Sequence, residues 1–590
     1  MDNRNLILAI VLSIAILFGF EMFFPKAPPA PETAAVQTPA QGVATDGAAA
    51  IPAPPQDDVQ ANTQANATAI PSVSQLAEVA GEQTVQDLLS AGPRISITSP
   101  SVTGSISLKG GRIDDLILNG YNETLDDSSP KIRLLTPRGA LDAYWAEYGW
   151  VGANVKLPGS DTLWSADKTV LSPESPVTLT WDNGEGLTFT RTLALDKDFM
   201  FTVTQRVANA SAAAVTLNPF GLVSRWGTPE VSGLYILHEG PLGVFDGTLK
   251  EVDYSDLVDD GPSAMTTTGG WIGFTDKYWL TALIPDQAAQ VNARMLYSKT
   301  GLLEKYQADF VGAATTVAPG ASIESTTHLF AGAKRVALLD SYAETLGITN
   351  FDLAIDFGWF YFLTKPIFYA LHWLHGVVGN FGIAILGLTV AIKLVLFPLA
   401  NKSYVSMSKM KKLGPQIKAL QAQFKDDKMR LNQEMMALYK KEKANPAAGC
   451  LPVLIQIPIF FSLYKVLLVT IEMRHAPFFG WIQDLSARDP LSIWTLFGLI
   501  KWDHLAFIPL PMDIGVWPLI MGFTMWLQMR LNPQPTDPIQ AKMFMYLPFV
   551  FTFLLASFSA GLVIYWAWNN TLSILQQWVI MRRMGVKIGD

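Results

Sequence analysis

The stretch from Phe381 to Ala400, FGIAILGLTVAIKLVLFPLA, restricts the fold more than any other. Its length and apolarity suit a bilayer crossing, which takes about 20 such residues. Yet it carries Lys393 in its second half. A lysine at the centre of a span costs roughly 2.5–3.5 kcal/mol on insertion scales, so such a residue faces a cavity, a partner or the near interface. Directly afterwards, from Lys402 to Lys443, the chain turns strongly basic with helical spacing. A charge within the membrane and a positive helical hairpin just outside it frame the rest.

The 590 residues exceed one ordinary domain. A mean hydropathy of +0.24 with 16% charged residues is too apolar for a soluble enzyme of this size. The apolar residues concentrate at 6–24 and again from about 351, so membrane and aqueous parts are mixed. The net charge of −8 is segregated: acids dominate much of the N-terminal two-thirds, and Lys and Arg crowd 401–443. Cys450 is the only cysteine, which excludes an internal disulfide framework.

Residues 1–24 read as an N-terminal transmembrane anchor, because Leu6–Phe24 is longer than the apolar region of a secretory signal. A cleaved signal is the competing reading, since small residues follow at Ala27 and Ala30. Residues 25–92, rich in Pro, Ala, Gln and Thr, cannot bury a core and read as a flexible tether with short helical pieces near Val73–Leu89. From Arg94 to about Phe330 the pattern changes to period two, as in RISITS, LTFTRTLALD and FMFTVTQRVAN. Such alternation, with turns at Gly110-Gly111, Asp182-Asn183-Gly184 and Asp259-Asp260-Gly261-Pro262, predicts a large antiparallel β-sandwich over 93–340. The acids Asp256, Asp259 and Asp260 lack a Ca²⁺-loop spacing, and His238 and His328 lack metal-ligand spacing.

Residues 341–380 predict an interfacial amphipathic helix, bent or restarted at Pro366 and carrying Trp359, Tyr369 and Trp373. Lys365, His372 and His375 argue against a further span there. The second span, 381–400, exits at Pro398. Residues 401–446 form a basic hairpin folded around Lys425-Asp426-Asp427, with Met407, Met410, Leu413, Ile417 and Leu420 recurring at helical spacing and Leu431, Met435 and Leu438 answering them. Its methionines read first as seam packing, and alternatively as an adaptable surface for apolar chains. Four further spans follow in 447–590, at about 450–470, 514–529, 544–558 and 561–580. With six spans the hairpin, Arg530, Lys542, Arg582, Arg583 and Lys587 share one side, which the positive charge marks as cytoplasmic together with both termini. The fold class is thus a polytopic α-helical membrane protein with a large periplasmic β-sandwich. No nucleophile with a base and no metal cluster is organised by spacing, so no catalytic residue, metal or cofactor is expected.

Three stretches carry a family resemblance: FPLANKSYVSMSKMKKLGPQIKAL, LNQEMMALYKKEKANPAAGCLPVLIQIPIFFSLY and ASFSAGLVIYWAWNNTLSILQQ. They resemble the YidC membrane insertase family, with its Oxa and Albino relatives; the β-domain behind an N-terminal anchor resembles the Gram-negative branch. The resemblance implies a non-enzymatic insertase and chaperone of the bacterial inner membrane, acting alone or with the Sec translocon on nascent inner-membrane proteins. Its partners would be those chains, the lipid bilayer and, transiently, the ribosome, with no specific nucleic acid. It also implies a hydrophilic groove open to cytoplasm and lipid. Lys393 matches the groove cation, where most relatives carry Arg; charge is kept and the planar fork is lost. Gln456, Gln528, Asn570 and Ser573 would line that groove, and Tyr565 and Trp566 match an aromatic pair that contacts client helices. Met407, Met410, Lys411, Lys412 and Met435 would form a client-capturing hairpin. The outer loop at 491–512 is longer than the family pattern, and the short C-terminal tail departs from relatives with a ribosome-binding extension. From the residues alone Lys393 has a second reading, snorkelling to the cytoplasmic interface, and the polar residues of the last span have one as interhelical hydrogen bonds. The rival functions are a solute transporter or channel, which would be expected to show internal repeats, and an envelope enzyme with its chemistry in the β-domain.

Overall fold

The computed structural model describes residues 84–232, 236–424, 427–442, 451–500, 502, 512–532 and 538–583. The expected anchor at 1–24 and nearly all of the 25–92 tether lie outside them. Of the helical pieces expected near 73–89, the described part is α1 (Val85–Ser90), started by a capping box between Thr84 and Asp87.

The period-two region folds as expected into two largely antiparallel sheets, of eleven and nine described strands, whose apolar faces share one core. In the first, Val215–Trp226 lies between Tyr144–Val151 and Leu303–Gly312. In the second, Met200–Asn209 pairs with Ser322–Ala333 in the register Val203↔Thr327. Leu187–Leu195 shows why alternation was readable: Leu187, Phe189, Leu193 and Leu195 are buried while the intervening residues are half-exposed. Arg191 shares the buried face, against an apolar-inward rule. Its guanidinium donates to the carbonyls of Gly111 (2.8 Å) and Tyr148 and lies over the Trp164 ring, so the buried charge has acceptors. The Gly110-Gly111 turn has φ of 78° and 64°, and a Cβ on Gly111 would sit 2.6 Å from the Arg191 guanidinium. A short helix, α2 (Tyr254–Asp259), occupies one of the acidic loops.

The expected boundary at 340 falls inside α3 (Val336–Thr345), so the sandwich and the helical region do not part there. Four contacts weld them. Lys365 Nζ pairs with Asp340 (2.8 Å) and Asp352 (2.6 Å). Lys465 Nζ pairs with Asp356 (2.7 Å) and donates to the Ile236 carbonyl. The Val336 N–H donates to Glu472 (3.2 Å). Arg474 donates to the carbonyls of Asn122 (2.6 Å) and Glu123 (3.1 Å).

Helix α4 (Tyr361–Val378) packs Thr364, Ile367, Phe368 and Leu371 against the protein and exposes Phe362, Tyr369, Trp373 and Val377. It runs as one helix through Pro366, correcting the expected restart. The missing N–H frees only the carbonyl of Phe362, an exposed residue near the start of the helix. The stretch predicted as one span over 381–400 is also corrected. Helix α5 (Phe381–Val395) ends at Leu396, and α6 (Phe397–Gln423) leaves it at 69°. Pro398 starts the second helix rather than ending the first, because in the first turn a missing N–H costs no hydrogen bond. The hairpin accordingly begins at Phe397 instead of 401. Its second arm is α7 (Lys428–Lys441), and Leu413 and Ile417 are buried against Met410, Met435, Leu438 and Tyr439.

The remaining helices are α8 (Leu451–Val469), α9 (Val516–Leu531), α10 (Pro538–Leu554) and α11 (Ala560–Arg583). The third of these begins six residues before the expected 544, again with a proline in the first turn. No single described helix is both long and apolar enough to cross a membrane; α5 together with Phe397–Met410 meets that test as a bent pair.

Candidate functional site

Helices α5, α6, α8, α9 and α11 surround a cleft of about 810 Å³, its open mouth included. The break at Leu396 shapes one wall, since Leu396, Leu399 and Ala400 line it. Thr389 and Lys393 project from α5, Gln456 from α8, Gln528 from α9 and Asn569 and Ser573 from α11; Asn532, next after α9, joins them. Tyr404, Met407 and Tyr565 complete the polar and aromatic lining, with aliphatic residues between.

Lys393 Nζ donates to Ser573 Oγ at 2.6 Å, which in turn donates to the Asn569 carbonyl at 2.8 Å. The amine is therefore turned across the cleft towards α11, and among the described residues it forms no ion pair. Trp568 Nε1 donates to the Leu386 carbonyl (3.2 Å), fastening α11 to α5 on the same side.

The polar residues of the last helix divide by helical phase. Tyr565, Asn569 and Ser573, four apart, share the cleft face. Asn570, expected in the lining, is buried outside it and donates to Thr524 Oγ1 of α9 at 3.3 Å. Gln577 Nε2 donates to Asn532 Oδ1 at 3.1 Å. Different residues of this helix thus line the cleft and bond to the neighbouring helix. Trp566, matched with Tyr565 to the client-contacting pair, is half-buried and packs between Phe460 (4.6 Å) and Phe551 (5.4 Å). Thr389, Tyr404, Asn532 and Asn569 complete the lining without having been singled out for it. A polar residue every fourth position on α11 was the available signal for Asn569.

In the hairpin, Met407 lies at the cleft wall, and Met410 and Met435 belong to the seam. Met429 and Met436 are the exposed methionines. Lys412 is exposed, and the Lys411 side chain lies outside those described.

A family model described as the YidC periplasmic domain matches residues 94–370, and one described as 60Kd inner membrane protein matches 373–587. A membrane protein insertase YidC from Methylorubrum extorquens (strain PA1) is 50% identical over 600 residues, covering 100% of this chain and 96% of that one. Its counterpart from Bradyrhizobium diazoefficiens is 49% identical over 605 residues, covering 100% and 97%. Among solved structures, an active YidC insertase with its first transmembrane domain resolved matches at 18% identity over 83% of this chain and 95% of that one, with a TM-score of 0.33.

Proposed function

This chain belongs to the YidC family of membrane protein insertases, and we propose that it inserts inner-membrane proteins by lending their polar flanks a hydrated, cationic cleft. The work is transfer rather than bond making. Each unsatisfied polar group in hydrocarbon costs several kcal/mol. A client must nevertheless carry its polar flank across while its apolar segment enters lipid.

In this reading α5 with the first turns of α6, and α8, α9, α10 and α11, lie in the bilayer. The hairpin and the Arg530, Arg582 and Arg583 ends face the cytoplasm, and the β-domain faces the periplasm. The 16 residues of α9 and 17 of α10 make rods about 24–26 Å long. That is short of a hydrocarbon core about 30 Å thick, so the bilayer beside them thins. Water in the polar cleft and thinned lipid above it together shorten the distance a client's flank travels without hydrogen-bond partners. Gln576 Nε2 and Gln577 Oε1, buried without a partner among the described residues, are consistent with water reaching this end of α11.

Lys393 attracts acidic residues of the flank; at an effective dielectric near 20, two unit charges 4 Å apart gain about 4 kcal/mol. The apolar segment leaves sideways into lipid. First capture falls to the basic hairpin, with Met429 and Met436 as its exposed apolar contacts. Sec components and, transiently, the ribosome are the proposed partners.

One observation carries the reading: the Lys393 amine bonded to Ser573 across a polar cleft between helices. Insertion of a single-span client into proteoliposomes tests it. Lys393→Glu should slow a client with an acidic translocated tail at least tenfold and a neutral-tailed one far less. Equal rates for wild type and Lys393→Glu on the acidic client would refute the electrostatic step.

A further inference from the structure

The loop before α9 bears an apolar surface that the cleft does not use. Trp494, Leu496, Phe497, Leu499 and Ile500 are all exposed, Leu499 by 85%. The run Leu491–Ile500 contains no charged residue. A contiguous exposed patch of this kind marks an interaction surface.

The patch is built, not loose. The Phe497 N–H donates to the Ser492 carbonyl (2.8 Å), the Ile500 N–H to the Thr495 carbonyl (3.0 Å) and the Gly498 N–H to Thr495 Oγ1 (3.1 Å). Trp494 Nε1 donates to the Met512 carbonyl at 2.7 Å. These polar groups are satisfied internally, as a segment entering a medium poor in water requires. Leu496 and Phe497 hold left-handed φ values of 46° and 57°, a strain that bulky residues keep only where the surroundings impose it.

The base of the loop is tied to the ends of the membrane helices. Arg488 pairs with Asp513 at 2.8 Å, and the Asp489 carboxylate accepts from the Trp517 N–H in the first turn of α9 at 2.7 Å. On the other side, Asn380 at the corner between α4 and α5 donates to the Phe478 carbonyl at 3.2 Å. The patch therefore starts at the level where α5 and α9 begin. Below it, Leu519, Ile520 and Phe523 are exposed apolar residues along α9, and α4 exposes Trp373, Val377 and Val378 near its corner with α5.

We propose that this loop is a foot seated in the outer leaflet of the bilayer, with Leu496, Phe497, Leu499 and Ile500 among the acyl chains and Trp494 at headgroup level. The loop's attachment at the start of α9, through the Ile493 N–H to the Ile514 carbonyl (3.0 Å), and the exposed apolar residues that follow on α9 identify lipid as the occupant. Tryptophan at the boundary between apolar and wet surroundings fits its amphipathic ring. The inference rests on the bilayer placement proposed above for α9.

Electron paramagnetic resonance on the full chain in proteoliposomes tests it. In a Cys450→Ser background, nitroxides are attached singly at Leu499→Cys, at Phe523→Cys on α9 and at Leu302→Cys, an exposed position of the β-domain. Ile500→Cys serves as a second site if Leu499→Cys fails to fold. The foot predicts a ratio of oxygen to nickel-chelate collisions several-fold higher at Leu499 and Phe523 than at Leu302. If Leu499 matches Leu302 while Phe523 stays oxygen-rich, the loop stands in water and the foot is wrong. If Leu499 is shielded from both reagents, protein covers it and lipid is the wrong occupant. If Phe523 itself meets the nickel chelate, the placement of α9 fails and the foot with it.

Discussion

Glu472 offers a quantitative test of how the β-domain is joined to the helices. It accepts the Val336 N–H at the start of α3, where the helix dipole favours an anion, yet its Oε2 is buried without a partner among the described residues. Burial outweighs the dipole, the hydrogen bonds and the attraction of Arg335, and it raises the carboxyl to about 7 from an ordinary 4.5. Between those two values the folded chain holds a proton that the unfolded chain has lost. Stability therefore falls as pH rises through this window and stays low above it. The full difference corresponds to about 3 kcal/mol. Glu472→Gln imitates the protonated acid and keeps the acceptor for Val336. It should come within about 1 kcal/mol of wild type near pH 5 and exceed it by up to about 3 kcal/mol at pH 8, or roughly 5–10 °C in melting temperature for a cooperative unit of this size. Thermal unfolding followed by tryptophan fluorescence from pH 5 to 8 measures both curves. Parallel pH profiles for the two proteins would refute the buried-carboxylate account.

Two further perturbations probe the packing around the cleft. Gly382→Ala would place a Cβ 2.0 Å from the Phe478 ring, so it should destabilise the α5 corner by about 1–3 kcal/mol, seen as a lower melting temperature in detergent. In the hairpin, Met429→Ser with Met436→Ser should reduce crosslinking to a nascent client while leaving melting unchanged, whereas Met410→Ser with Met435→Ser should lower melting, because the first pair is exposed and the second lies at the seam.

What was readable in the chain follows from how local each determinant is. The sandwich was legible because alternation is written strand by strand, as in Leu187–Leu195. Its inward Arg191 was not, since the acceptors that make it tolerable lie 80 and 43 positions away, at Gly111 and Tyr148. Pro398 was misread because proline closes one helix and opens the next with equal ease, and only the course of the chain beyond it decides. Lys393, Gln456, Gln528 and Ser573 stood out as polar residues in apolar helices and Tyr565 through the family resemblance, and all five line the cleft. Asn570 was assigned to the wrong face because one residue is 100° of rotation, a phase set by packing against α9 rather than by composition. The weld between sandwich and helices was invisible, since Lys465–Asp356 and Glu472–Val336 join positions more than 100 residues apart.

The central claim, that water reaches Lys393 from the cytoplasm, is tested most directly at its partner. Ser573 lies ten residues from the end of α11 at Arg583, about 15 Å along the helix. In a Cys450→Ser background, Ser573→Cys in inner-membrane vesicles should react with a charged, membrane-impermeant methanethiosulfonate added on the cytoplasmic side, while Phe523→Cys should not. A cysteine at 573 as inert as the one at 523, in a chain that still folds, would mean that the amine is sealed and that no hydrated cleft exists.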